Sequence, residues 1–360
     1  MKLIISFTVM IFAVYKIAFY FEYFSRINFR KININTFKFL FLFLLILPAF
    51  STKACDGCGT FMGITPYDNQ SSITLLHRYR YFGGHYGEKQ SLFAANEPIF
   101  KFNSQTSSPI AEHNDSHGEY EVFRTLEVRG RYFLSKRIEF NAILPYNANS
   151  ENHNGNSNTV VGIGDVNLFT AYHLIRKLDQ KTINQRLIVG LGVKLPTGKN
   201  NVANDEGIPF GILTQPGTGS TDGFVYFNYL MGYKKAGLSL TSTYKVNGEN
   251  KNQESIANST TSFLNLFYKI NINETYKLIP SAQFTYEYTA GEKYMGVKTG
   301  EHGINNLMGG FGVDLFIKNI TLNMALQSKV WAAKENLPMP SSRLVLGLTY
   351  NFNQLYYLID

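Results

Sequence analysis

Cysteine is nearly absent: the two in 360 residues, Cys55 and Cys58, stand three positions apart near one end, so no network of disulfides can hold the fold together. Charge is scarce at 17%, and tryptophan occurs once. No long stretch carries the 3.6-residue apolar repeat of an amphipathic helix, which excludes bundles and alternating α/β architectures. Catalytic signatures are missing too. There is no GxSxG elbow, and none of His77, His85, His113, His117, His153, His173 or His302 has a serine two residues away, the spacing that an outer-membrane phospholipase needs. An enzyme is therefore not expected, and no cofactor is called for.

What the chain has in quantity is aromatic: 23 Tyr and 29 Phe raise the aromatic share to 15%. Such rings favour strands and membrane interfaces. The formal charge of +8 suggests an acidic partner until the charges are located. Residues 1–54 hold seven basic side chains against Glu22, which leaves the remainder with 27 basic and 25 acidic residues, a net +2. Nucleic-acid binding through a basic patch loses its support.

The leader contains two apolar stretches. Phe39–Phe50 follows Arg30, Lys31 and Lys38 and runs on to a small residue at Ala54, the layout of a secretory signal too short to span a bilayer as a helix. Cleavage after Ala54 would leave Cys55 first, but Thr52 stands where a lipoprotein signal usually has Leu, so lipid attachment is the minority reading. Residues 3–21 carry only Lys16 as a charge. Either they form a signal anchor, or the true start lies downstream and they are never made; the second is preferred because two export elements in tandem are redundant. The expected organisation is a leader at 1–54 with its apolar region at 39–50, a periplasmic CxxC segment at 55–70, a barrel at 71–353 and a tail at 354–360.

From residue 71 the apolar residues alternate with period two. Tyr120, Val122, Leu126, Val128 and Tyr132 share one face, with Glu121, Thr125, Glu127, Arg129 and Arg131 on the other. Twelve strands are predicted, near 71–83, 119–134, 137–147, 161–175, 186–197, 221–234, 237–247, 260–272, 276–290, 305–317, 319–331 and 342–353. Nearly all reach the 9–11 residues of a transmembrane strand. Their connections alternate long and short. Polar loops near 84–118, 148–160, 198–220, 248–259, 291–304 and 332–341 are separated by links such as Ser135-Lys136 and Lys318, and one link, around Arg176 to Gln185, breaks the rule. Outer-membrane barrels have short periplasmic turns and long outer loops. The expected fold is all-β: a transmembrane antiparallel up-and-down β-barrel of about twelve strands in a Gram-negative outer membrane. A soluble β-sandwich or lipocalin-like barrel also alternates, but so much strand carrying so many large aromatics exceeds what a small barrel packs inside.

Three stretches, Gly162-Ile163-Gly164-Asp165, Leu195-Pro196-Thr197-Gly198-Lys199 and Gly217-Thr218-Gly219-Ser220-Thr221-Asp222, together resemble the bacterial barrel family named for the meta-pathway of phenol degradation. The resemblance covers roughly residues 120–350 and implies an outer-membrane barrel that transports small, often hydrophobic, compounds. It assigns no functional residues. The run Leu346 to Phe352 resembles the last strand that barrel-assembly machinery recognises, although Asn353 to Asp360 follow it.

On the face predicted to line the lumen lie Arg78, Arg80, Glu121, Glu127, Arg129, Arg131, Glu139, Asp165, Lys194 and Asp222. They either pair across strands or line a polar route for solute, and pairing is favoured for most. Cys55 and Cys58 form CDGC, which suits a disulfide more than a soft metal. The loop from Glu112 to His117 collects divalent-metal ligand types, with a solvated loop as the favoured reading. The function expected is passive passage of small, in part hydrophobic, solutes. The alternative is a plugged barrel whose CxxC segment handles metal or redox chemistry. The partners expected are the lipid bilayer, barrel-assembly machinery and small-molecule solutes, with the oligomeric state left open.

Overall fold

The computed structural model describes residues 70–83, 120–153, 156–177, 183–204, 207, 209–298, 303–333 and 339–352. The leader, the CDGC segment, the loop holding His113 and His117, and the tail lie outside the described residues. Within them every regular element is a strand: β1 (Ser71–Gly83), β2 (Tyr120–Phe133), β3 (Ile138–His153), β4 (Asn156–Ile163), β5 (Val166–Lys177), β6 (Asn184–Leu195), β7 (Asp222–Tyr233), β8 (Ala236–Val246), β9 (Glu254–Ile256), β10 (Ser259–Tyr268), β11 (Ile270–Asn271), β12 (Tyr276–Thr289), β13 (Glu292–Tyr294), β14 (Val297–Lys298), β15 (Ile304–Ile317), β16 (Ile320–Ala332) and β17 (Met339–Phe352).

Fourteen of these form one antiparallel sheet that closes on itself. The first strand pairs with the last from Ser71↔Phe352 to Gly83↔Met339, and β10 pairs with both β8 and β12. Because β4 continues the line of β5, and β11 that of β10, the sheet makes twelve staves. Closure satisfies every edge, which is what lets a sheet stand in hydrocarbon.

Period-two alternation decides the faces. Leu75, Leu126, Val128, Leu144, Leu191, Val225, Phe284, Phe311, Leu322 and Leu348 are exposed on the outside, while the polar residues alternating with them are buried within. This arrangement inverts a soluble barrel. The exterior is apolar, and the interior holds Glu127, Arg129, Glu139, Lys194 and Asp222.

Short turns gather at the end where Ser71 meets Phe352. Lys234-Lys235 joins β7 to β8 and Lys318-Asn319 joins β15 to β16; Lys234 and Lys318 take φ of 54° and 51°, as tight two-residue hairpins demand. Three expectations are revised. The connection expected to break the rule shrinks to residues 178–183, because β5 and β6 each extend toward it. The loop expected at 148–160 is a hairpin, β3 running to His153 and β4 starting at Asn156. Its residues Asn147 to His153 alternate no apolar side chains, as befits a ladder standing clear of lipid. The outer loops at 248–259 and 291–304 likewise contribute β9, β13 and β14 to a small separate sheet.

Apolar side chains also enter the interior. Ile143, Phe169, Ala171, Ile188, Phe224 and Tyr226 form one cluster, in which the Phe169 ring meets Phe224 edge-on at 5.7 Å. Ile279 and Phe316, with Leu230 and Phe267 against them, form another near the end with the short turns.

Candidate functional site

The connection between β6 and β7 folds inward, and one carboxylate holds it. Asp165 sits at the break between β4 and β5, almost wholly buried. Its Oδ1 accepts the Gly198 N–H at 2.9 Å. Its Oδ2 accepts the Thr218 N–H at 2.8 Å, the Thr218 hydroxyl at 2.9 Å and Lys194 Nζ at 2.9 Å. These donors meet the hydrogen-bonding needs of a buried carboxylate. Lys194 Nζ also bonds Thr218 and lies 2.8 Å from Asp222, whose Oδ2 takes Lys245 at 3.0 Å. Two lysines and two aspartates therefore tie the break in the wall, β6, β7, β8 and the loop into one buried network.

The glycines of the three motif stretches explain why that network closes. A Cβ on Gly198 would stand 2.7 Å from the Gly164 carbonyl carbon and 2.8 Å from Gly217 Cα. Only bare backbone fits where these three segments touch. Further along, Asn147 and Asn149 on β3 donate side-chain N–H groups to the carbonyls of Pro216 at 2.7 Å and Thr214 at 3.0 Å. Gln215 braces the loop internally, bonding both the N–H and the carbonyl of Val202. From above, Ile212 and Leu213 pack on Ile256 of β9, and Asn250 donates to the Thr218 carbonyl at 3.2 Å.

Below the loop, charges on neighbouring strands share carboxylates. Glu127 accepts Arg78 Nη2 at 2.9 Å on one oxygen and Arg129 Nε at 2.6 Å on the other. The Arg80 guanidinium stacks over Phe123 at 5.3 Å and Phe82 at 5.9 Å. Nearer the short turns, Glu139 lies 3.3 Å from His173 Nε2 and accepts Asn141 at 3.3 Å, while Arg131 stands over Phe133 at 5.6 Å. Across the barrel the wall is largely neutral: Gln327 bonds Thr285 and Gln283, and Arg343 meets Glu287 at 2.5 Å.

The side chains singled out from the sequence thus fall in three groups: Arg78, Arg80, Glu127 and Arg129 at mid-height, Arg131 and Glu139 below, and Asp165, Lys194 and Asp222 beneath the outer end. Glu121 also faces inward, on the outer part of β2. Sequence reading quoted Gly198 and Thr218 as motif residues without giving them a role; it missed Asn147 and Asn149, which also hold the loop, and His173, Lys245 and Arg343, which face the carboxylates. Lys245 was legible from phase, since β8 alternates; the loop contacts had no periodic signal. Among the described residues, no three His, Cys, Asp or Glu side chains come together as a metal site would require.

Between the loop and the wall of β1–β3 lies a cavity of about 120 Å³. Arg78, Arg80, Lys194, Lys245, Glu127 and Asp165 supply its charges, and Phe123, Ile143, Phe224, Ile212 and Ile256 its apolar surface.

Comparison with known proteins places this geometry. An outer-membrane channel from Pseudomonas putida F1 superposes with a TM-score of 0.56 at 14% identity, covering 82% of this chain and all of that one (100%). The β domain of the Bordetella autotransporter BrkA is similar at a TM-score of 0.43 and 12% identity, over 79% of this chain and 100% of that one. The NanC porin gives 0.36 and 10%, over 78% and 100%. No protein of curated function matches the chain in sequence. The closed barrel with its apolar exterior is that of a Gram-negative outer-membrane protein. The family described as "Putative MetA-pathway of phenol degradation" matches residues 100–339, well over half of the sequence, and the chain belongs to that family.

Proposed function

We propose that the protein is a channel through which small solutes cross the outer membrane by diffusion, without chemistry. The observation that carries this reading is the interior: charged and amide side chains line a closed barrel whose outer end is narrowed by a loop tied down at Asp165. A wall of such groups lets a solute exchange its water for protein contacts at every level. Twelve staves stand between filled eight-stranded barrels and wide sixteen-stranded porins, so the expected solutes are small. The similarity to the Pseudomonas channel agrees with this reading. The last strand, ending at Phe352, is assigned to recognition by barrel-assembly machinery.

Planar-bilayer recording of the purified full chain tests the proposal, alongside a variant in which residues 200–216 are replaced by a short Gly-Ser turn. Small, discrete conductance steps from the natural chain and larger ones from the variant are expected. Silence from both would overturn the channel reading.

A further inference from the structure

The end of the barrel with the short turns exposes charge of one sign. Lys136 and Arg137 between β2 and β3, Lys177 closing β5, Lys234 and Lys235 between β7 and β8, and Lys318 between β15 and β16 are all exposed. Among the described residues Glu274 is the one exposed carboxylate there. Beside these cations stands a ring of outward tyrosines, Tyr132, Tyr172, Tyr233, Tyr268, Tyr276 and Tyr350, each 41–53% exposed. We infer that this rim is a collar for anionic phospholipid headgroups of the periplasmic leaflet, the rings lying at the border of the hydrocarbon and the cations on the lipid phosphates. The assignment does not depend on the channel reading.

Outer-membrane barrels turn their short connections to the periplasm, so this rim meets the phospholipid leaflet. Amphipathic rings settle where hydrocarbon meets water, and long cationic stems reach past them to the headgroups. One station shows the arrangement directly. Lys234 Nζ lies 5.2 Å from the centre of the Tyr233 ring, which faces outward, so its charge is held on the lipid side of the wall. Neighbouring turns are also tied to one another: the Lys269 N–H donates to the Lys235 carbonyl at 2.6 Å and the Lys318 N–H to the Thr275 carbonyl at 3.2 Å. The cations therefore keep fixed places along the rim. An acidic protein partner would call for one concentrated patch. Charge spread over four separate connections, close to lipid-facing rings, fits a headgroup layer that surrounds the barrel. Headgroups with a net negative charge gain from such a collar, whereas zwitterionic ones bring an ammonium of their own.

The test is the retention of spin-labelled phosphatidylglycerol and phosphatidylcholine by the full chain in phosphatidylcholine vesicles, read from the motionally restricted part of the electron paramagnetic resonance spectrum. Phosphatidylglycerol should be favoured about fivefold at low salt, the scale of one basic side chain beside an anionic headgroup, and added KCl should erode the preference. Lys234→Gln, Lys235→Gln and Lys318→Gln together should lower it to about twofold, since half of the exposed cations remain. Lys234→Arg with Lys235→Arg and Lys318→Arg should keep it. Equal retention of the two lipids by the natural chain, or a preference indifferent to salt, overturns the inference, and this arm needs no variant to fold. A preference unchanged by the glutamines, or lost equally with the arginines, overturns the assignment to these charges. Labelling of Lys235→Cys in whole cells with a membrane-impermeant maleimide, against the natural chain with its Cys55 and Cys58 as background, identifies the leaflet. Reaction only after the outer membrane is permeabilised is expected; reaction in intact cells would put the collar among lipopolysaccharide phosphates and overturn the periplasmic assignment.

Discussion

At the residue scale, Asp165 governs the most. Asp165→Asn keeps the shape and removes the charge, so Lys194 retains only Asp222 as a counter-ion and the loop loses its strongest tether. Leaving a buried charge without any partner costs about 3–5 kcal/mol, and Asp222 keeps the loss at Lys194 below that. The loop is expected to leave the bore, giving larger and noisier conductance steps. Gly198→Ala provides a control without charge, because its Cβ would press on Gly164 and Gly217. Overpacking of this kind costs about 1–3 kcal/mol, and the same change in conductance is expected from it. If Asp165→Asn alters conductance and Gly198→Ala does not, charge rather than loop position is responsible. Glu127→Gln should act differently. It removes the carboxylate between Arg78 and Arg129 and should move the zero-current potential in the direction of anion selectivity relative to the natural chain, with step size nearly unchanged.

The element scale is where alternation turns into stability. Val128 is an outward residue on β2 flanked by Leu75 of β1 and Leu144 of β3, and all three are exposed to lipid. Val128→Arg should lower stability by about 2–4 kcal/mol, the cost of a cation near the bilayer midplane. Urea titration of folding into lipid vesicles measures this. Glu127→Gln, one residue earlier on the inner face, puts no charge into lipid, so its cost should come only from the lost ion pairs with Arg78 and Arg129. Elements above the membrane obey different rules. The hairpin of β3 and β4 and the sheet of β9, β13 and β14 are held by backbone ladders and polar contacts rather than by a lipid-facing stripe, which is why alternation did not reveal them as strands.

For the whole molecule, closure between β1 and β17 makes folding all or nothing, because an open barrel would leave unpaired edges in hydrocarbon. If the leader at 1–54 is an export signal, the intact mass of the protein from outer membranes should correspond to a chain beginning near Cys55. A species retaining residues 1–54 would overturn that assignment. Thiol labelling of the same material should find Cys55 and Cys58 unreactive until reduced, as a disulfide requires.

The class, the number of staves, the inward and outward phase and the alternation of long and short connections were legible in the sequence, since each follows from local period-two patterning imposed by lipid on one side of every strand. Arg78, Glu127 and Arg129 could be put on the polar face by counting, and that face turned inward only once the length of strand and its large aromatics had placed the barrel in a membrane. That Asp165 is a tether could not. Its partners Gly198 and Thr218 lie 33 and 53 residues away, in a loop whose path into the barrel depends on three glycine backbones meeting face to face. Patterning reports what surrounds a strand, but a contact between distant loops is settled only when the barrel closes and brings them to one end.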